Sequence, residues 1–238
     1  MKRHLLPVLL LALSLSVACS RPEPAKTVTG NAQVQGHYDP KTGKLVSITY
    51  DSNKNGKIDT WSYMDGARVI RIEIDKDEDG KLDRWEYYTA DQKLEKVGWS
   101  RVNNGKPDAW AYQGADGKIA RIDLAALESP TQRVGAELAS ARTPDPGHRT
   151  PDDAAKPRIV RTEFYENGTL ARVEEDTNGD GKTDKWETWR DGSIAAVAFD
   201  TAARGTPDRR LLYGRNGKVT VEVDPGGSGV FKPGRKPR

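Results

Sequence analysis

Two nine-residue stretches carry the residue types best suited to holding an ion. Residues 75–83 read Asp-Lys-Asp-Glu-Asp-Gly-Lys-Leu-Asp, and residues 176–184 read Asp-Thr-Asn-Gly-Asp-Gly-Lys-Thr-Asp. Both place oxygen-bearing side chains at positions 1, 3 and 5, glycine at position 6 and aspartate at position 9. Calcium takes about six to eight hard oxygens, and such an alternation supplies most of them from one short turn. The expected ligands are Asp75, Asp77, Asp79 and Asp83 in the first loop and Asp176, Asn178, Asp180 and Asp184 in the second. Lys81 and Lys182, at position 7, would contribute backbone carbonyls, and Gly80 and Gly181 would allow the sharp bend. Residues 51–59 are a weaker copy, with Asp51, Asn53, Asn55, Lys57 and Asp59 but two carboxylates, so weaker binding is expected. The equivalent stretches 100–108 and 200–208 have Val102 and Asn104, or Ala202 and Arg204, at positions 3 and 5 and are expected to be metal-free turns. Asp, Asn and Gly favour turns in any case, but intact ligand sets at one phase of a repeat favour ligation.

These loops punctuate an internal repeat. Gly56, Gly80, Gly105, Gly181 and Gly205 align, each followed three residues later by Asp59, Asp83, Asp108, Asp184 or Asp208. Two residues further stand Trp61, Trp85, Trp110 and Trp186, with Arg210 in the last place, and Tyr63, Tyr87 and Tyr112 continue the alternation. A period of two reads as a half-buried strand. Turn pairs follow (Asp65-Gly66, Asp116-Gly117, Asp191-Gly192, Asn216-Gly217), and then segments such as Val69 to Ile74 and Lys218 to Val223 in which β-branched residues alternate. The fold expected is all-β: an antiparallel meander of β-hairpins, about 24 residues per repeat, in two blocks at residues 36–128 and 158–224. Between them, 129–157 reads as a Pro-rich linker in which Thr131 to Arg142 has a short helical spacing, and 225–238 reads as a disordered basic tail.

The hairpins resemble MORN-type repeats through Trp85-Glu86-Tyr87-Tyr88 with Lys93-Leu94 and through Phe164-Tyr165-Glu166-Asn167-Gly168-Thr169-Leu170. The resemblance implies an extended meander used in protein or membrane-surface interaction, with no shared catalytic residues. The loops resemble EF-hand loops, down to Glu86 and Glu187 at position 12, but an EF-hand needs flanking helices. Val69 to Ile74 has strand spacing, so the strand-loop-strand calcium motif of integrin-like repeats is the better match. Calcium would then be structural, neutralising carboxylates that repel one another.

Met1 to His4 is basic, and Leu5 to Ala18 is an apolar run too short to span a bilayer, so residues 1–18 read as a signal peptide. The only cysteine, Cys19, follows Val17-Ala18, and this segment resembles a bacterial lipobox, though Ser16 stands where that pattern usually has Leu. The resemblance implies a lipidated N-terminus, anchorage to the membrane and, with Ser20 next, an outer-membrane location; residues 19–35 would be a flexible tether. A single cysteine excludes an intramolecular disulfide.

Composition narrows the function. Apolar residues make up 35% of the 238 and mean hydropathy is −0.76, so a deep core is not expected. A net charge of +3 from 38 basic and 35 acidic groups supplies no field to hold nucleic acid. His4, His37 and His148 are the only histidines and lie outside the motifs, so no zinc set or catalytic triad assembles, and neither an enzyme nor a small-molecule substrate is expected. The reading is a lipid-anchored envelope protein that binds calcium structurally and engages an unidentified protein partner. The alternative is a metal-independent scaffold or immunity-type protein whose acidic loops are plain turns. Labelled palmitate should be incorporated into the wild type and not into Cys19→Ala; equal labelling of both would remove the lipid anchor.

Overall fold

The computed structural model describes residues 34–127 and 157–234. They form one antiparallel sheet of fifteen strands in chain order. The strands are β1 (Val34–Tyr38), β2 (Leu45–Tyr50), β3 (Thr60–Asp65), β4 (Arg68–Ile74), β5 (Arg84–Tyr88), β6 (Leu94–Trp99), β7 (Ala109–Gln113) and β8 (Ile119–Ala125), then β9 (Ile159–Glu166), β10 (Thr169–Glu175), β11 (Lys185–Arg190), β12 (Ser193–Phe199), β13 (Arg209–Tyr213), β14 (Val219–Val223) and β15 (Lys232–Pro233). The first and last strands do not pair, so the meander is open and not a barrel. No described residue is helical, and none of the described segments is a helix long and apolar enough to cross a membrane. The signal peptide, Cys19, nearly all of the tether and the helical spacing at 131–142 lie outside the described residues.

The alternation of the sequence becomes rows of cross-strand partners. One row on one face runs Trp61, Glu73, Trp85, Gly98, Trp110, Asp123. Beside it, aromatic and basic residues alternate: Tyr63, Arg71, Tyr87, Lys96, Tyr112, Arg121, Phe164, Arg172. The cations sit over the rings, at 4.2 Å for Arg71 on Tyr63, 4.6 Å for Lys96 on Tyr87, 4.0 Å for Arg121 on Tyr112 and 3.9 Å for Arg172 on Phe164. Each such contact is worth about 0.5–1 kcal/mol when exposed and more when dry. Acids two residues on complete the pattern, as in the buried Arg71–Glu73 pair at 2.9 Å, whose Glu73 also accepts from the Tyr63 hydroxyl.

A single layer has no second sheet to pack against, so burial comes from side chains lying along the sheet. Trp85 is only 2% exposed. Trp110 lies across Gly98 beneath Pro107; a methyl group at Gly98 would stand 3.1 Å from Pro107 and 3.3 Å from the Trp110 ring.

Connections alternate in length, which puts tight turns at one end of the sheet and long loops at the other. Asn167-Gly168 and Asp191-Gly192 have positive φ at both residues, as type I′ hairpins require, whereas the Gly66-Ala67 turn has it at Gly66 alone. At the other end one backbone pattern recurs. Position 6 is a left-handed glycine at residues 56, 80, 105, 181, 205 and 229, and position 4 is left-handed as well, at Lys54, Glu78, Asn103, Gly179, Ala203 and Gly227.

The last member of each series belongs to a sixth loop, opened by Asp224, within the stretch expected to be a disordered tail. Residues 225–234 instead form that loop and β15, which pairs with β14. The sequence signal was present, because Gly229 stands 24 residues after Gly205, but Gly226 and Ser228 at positions 3 and 5 disguised it. The first strand likewise starts inside the expected tether, at Val34.

The two blocks are one sheet, joined by β8 and β9. Each loop-opening residue donates its N–H to the loop-closing carbonyl of the loop before: Asp75 to Asp59, Ser100 to Asp83, Asp200 to Asp184, Asp224 to Asp208, all at 2.7–3.0 Å. Ala125 does the same to Asp108, and Asp176 donates to Val160. Ala125 and Val160 thus take the places of a loop-opening and a loop-closing residue in the ladder, and nearly all of the expected linker at 129–157 lies outside the described residues.

Ala203 bears the left-handed strain with no side-chain compensation, since a non-glycine residue there costs about 1–2 kcal/mol. After the entropy that glycine loses on folding, Ala203→Gly should stabilise by about 0.5–1 kcal/mol. Thermal unfolding checks this, and an unchanged midpoint would count against the left-handed assignment.

Candidate metal centre

Five of the six long loops open with a buried aspartate: Asp51, Asp75, Asp176, Asp200 and Asp224 are all 9% exposed or less. In each, one carboxylate oxygen accepts the N–H of the position-6 glycine: 2.8 Å from Gly56, 2.9 Å from Gly80, 2.9 Å from Gly181, 2.5 Å from Gly205 and 2.6 Å from Gly229. The position-9 aspartates tie down the loop entrance. Asp59 accepts from Ser52, Asp184 from Thr177 and Asp208 from Thr201, through both backbone and hydroxyl groups. For Asp59 burial pulls the pKa upward, but the Ser52 and Thr60 bonds outweigh it and hold the carboxyl below its ordinary value.

The loops differ in what happens at the second oxygen of the opening aspartate. In loop 51–59, Asp51 Oδ1 accepts from Lys54 and Asn55, and in loop 176–184, Asp176 Oδ1 accepts from Gly179 and Asp180. Asp75 Oδ1 is buried with no hydrogen-bond partner. An unpaired buried acceptor of this kind costs about 1–3 kcal/mol. Burial pushes the Asp75 carboxyl above its ordinary pKa; the backbone N–H groups of Gly80 and Glu78 oppose that rise, and Asp79 and Asp77 add to it. Among the described carboxylates with a resolved shift, Asp75 alone is shifted upward.

Around that oxygen the structure gathers a ligand set. Asp75, Asp77 and Asp83 each present a carboxylate oxygen within 4.8 Å of the others. This cluster could hold a metal ion, and the unpaired Asp75 oxygen fits one, since a cation would replace the missing donor. Asp79, expected at position 5 of the same set, stands outside the cluster. Its Oδ1 accepts from the Lys81 N–H at 2.8 Å, and its Oδ2 accepts from Asn103 Nδ2 at 2.9 Å. In loop 176–184, Asn178 and Asp180 turn their oxygens to backbone N–H groups of Asp180 and Lys182. Loop 51–59 is closed differently again: the Oδ1 atoms of Asn53 and Asn55 hold their own backbone, and their Nδ2 groups donate to Glu78 of the next loop, which also pairs with Lys57.

The cross-loop contacts of Glu78 and Asn103 were not anticipated from sequence. Spacing within a loop is silent about them, though both residues occupy position 4. In loop 100–108 the position-3 and position-5 residues do not form a ligand set; Arg101 instead reaches Asp108 and the Ala125 carbonyl.

The position-12 glutamates turn away from the loops. Glu86 accepts from Arg84 and the Tyr88 hydroxyl, and Glu187 accepts from Trp189 Nε1 while pairing with Lys185. Strands flank both loops, and a strand carries position 12 roughly 10 Å beyond position 9. A shallow groove of about 490 Å³ lies elsewhere, on the Trp face, where Ala196 and Ala198 interrupt the rows beside Trp186, Arg210 and Phe231; no carboxylate or histidine lines it.

No family model and no curated protein matches this chain. Among solved structures, it is similar to part of a Staphylococcus aureus TarM mutant in complex with fondaparinux, α-GlcNAc-glycerol and UDP, at TM-score 0.34 and 15% identity over 41% of this chain and 19% of that one. It is also similar to part of an assembly of accessory secretory proteins 1, 2 and 3 from Streptococcus pneumoniae, at TM-score 0.21 and 11% identity over 74% of this chain and 20% of that one. The chain thus spans a fifth or less of either, and similarities at this level carry no argument about function.

Asp75→Asn keeps an acceptor for Gly80 and puts a donor where the unpaired oxygen stands. Without metal it should leave the protein as stable as wild type or raise stability by about 1 kcal/mol, measured by thermal unfolding in chelator. A clear loss under those conditions would show that the Asp75 carboxylate is already satisfied.

Proposed function

We propose that this chain is a lipid-anchored protein of the bacterial envelope, held through Cys19. Its sheet binds calcium structurally and serves as a protein-interaction module, with no catalytic role. The observation that supports the metal reading is the buried, unpaired Asp75 oxygen within 4.8 Å of Asp77 and Asp83. A hard dication there would neutralise three converging carboxylates, and the carbonyl at Lys81 and water would complete its shell. Loop 176–184, with Asp176, Asn178, Asp180, Lys182 and Asp184, is the second site by sequence. There the cation would have to draw Asp176 away from the Gly179 and Asp180 N–H groups. Loop 51–59 is the weakest, because its amide N–H groups face Glu78.

A second reading has its own support. Loops 51–59, 200–208 and the one opened by Asp224 are each closed by the bond from the opening aspartate to the position-6 glycine, as a metal-independent scaffold would be. Calcium decides between the two. Exported modules commonly bind at about 10⁻⁴–10⁻³ M, so 10 mM calcium should stabilise the folded state by about 1.5–3 kcal/mol, a rise of several degrees in the melting temperature. Asp75→Asn combined with Asp176→Asn should lose most of the rise, while Glu86→Gln should retain it. No calcium-dependent shift in the wild type would leave the scaffold reading standing; loss of the shift in Glu86→Gln would require helical EF-hand geometry.

A further inference from the structure

In three of the loops the position-4 residue lies against position 5 of the loop before it. Glu78 takes the amide of Asn55, Asn103 takes Asp79, and a Cβ on Gly227 would come within 3.8 Å of the Arg204 guanidinium. The backbone at position 4 is left-handed in each of these loops, and in these three the residue there borders the position-5 side chain of the preceding loop.

For loop 75–83 that neighbour is Asn103. Its Nδ2 holds Asp79 Oδ2, while its own Oδ1 is buried without a donor, so the Asp79 contact is the one polar bond found for this amide among the described residues. Asp79 has its other oxygen on the Lys81 N–H and stands apart from the Asp75, Asp77 and Asp83 cluster. Position 4 of the loop that follows Asp180 is Ala203, which has no polar side-chain group to offer, and among the described residues the Asp180 carboxylate accepts only from the Lys182 N–H.

We propose that Asn103 is a latch that sets the cation affinity of loop 75–83 by holding Asp79 out of the ligand set. The proposal rests on the reading of that loop as a calcium site and adds the residue that tunes it from a neighbouring repeat. Occupation of the full set requires Asp79 to exchange its Asn103 bond for the metal. Calcium in one loop therefore frees a side chain of the next, and loop 100–108, which lacks ligands of its own, senses the ion.

The test is calorimetric titration of calcium chloride into the full chain carrying Asp176→Asn, so that loop 176–184 does not contribute. Asn103→Gly removes the amide without straining the left-handed backbone, and Asn103→Ala removes it with the strain retained. Both should tighten binding by about tenfold, the equivalent of one hydrogen bond of ordinary net strength. Adding Asp79→Asn should abolish that gain, because the released carboxylate is what the latch withholds. Unchanged or weaker binding in both Asn103 variants, with the parent still binding, would overturn the latch and leave the calcium reading intact. Absence of saturable binding in parent and variants alike would overturn both.

Discussion

The bond from a buried aspartate to the backbone N–H of a glycine five residues later is the constraint on which the sheet depends. It closes each long loop to the same size, so the strand that leaves re-enters in register with the strand that arrived. Two neighbouring hydrogen bonds carry the ladder past the loop mouth, from the closing residue back to the incoming strand and from the next opening residue to the closing carbonyl. A slip of one residue would exchange the aromatic-cation rows for the opposite face. Ser100 shows the limit of the device: its shorter side chain bonds Asn104 instead, and Arg101 braces the loop from Asp108 to Ala125. The carboxylate that could ligate a metal is thus first a folding element, which explains why loops without a full ligand set retain it.

Stability in such a sheet is one-dimensional. Each strand touches only the strand before and the strand after it, so the molecule is a sum of nearest-neighbour interfaces. Alternating rings and cations suit this arrangement, because each residue in the row meets a favourable partner on both sides without a second layer above it. Where the row lapses, at Thr188 and Ala196, the face opens into the groove beside Trp186.

The class of fold was readable from spacing because a period of two inside a period of about 24 leaves few alternatives. The hairpin at Asp191-Gly192 followed from turn chemistry alone. The sixth loop was hidden because Pro225, Gly226 and Gly227 resemble a disordered tail; beyond the 24-residue step from Gly205 to Gly229, the burial of Asp224 and its bond to Gly229 distinguish them. In the candidate site, Asp75, Asp77 and Asp83 came together as the motif implies, but Asp79 did not. One of its oxygens accepts from Asn103, which lies 24 residues away, and a linear motif carries no record of contacts across the repeat.

The open meander places the two chain ends of the sheet on opposite edges, β1 and β15. Tension applied between those ends would load the ladders across the strands and not along them, so hydrogen bonds would part in series, a few at a time. Each repeat peeled away would release about 24 residues, or roughly 80 Å of extended chain, and its neighbours would remain folded. A molecule built this way yields stepwise under load and can re-form by adding one hairpin at a time to the edge that survives.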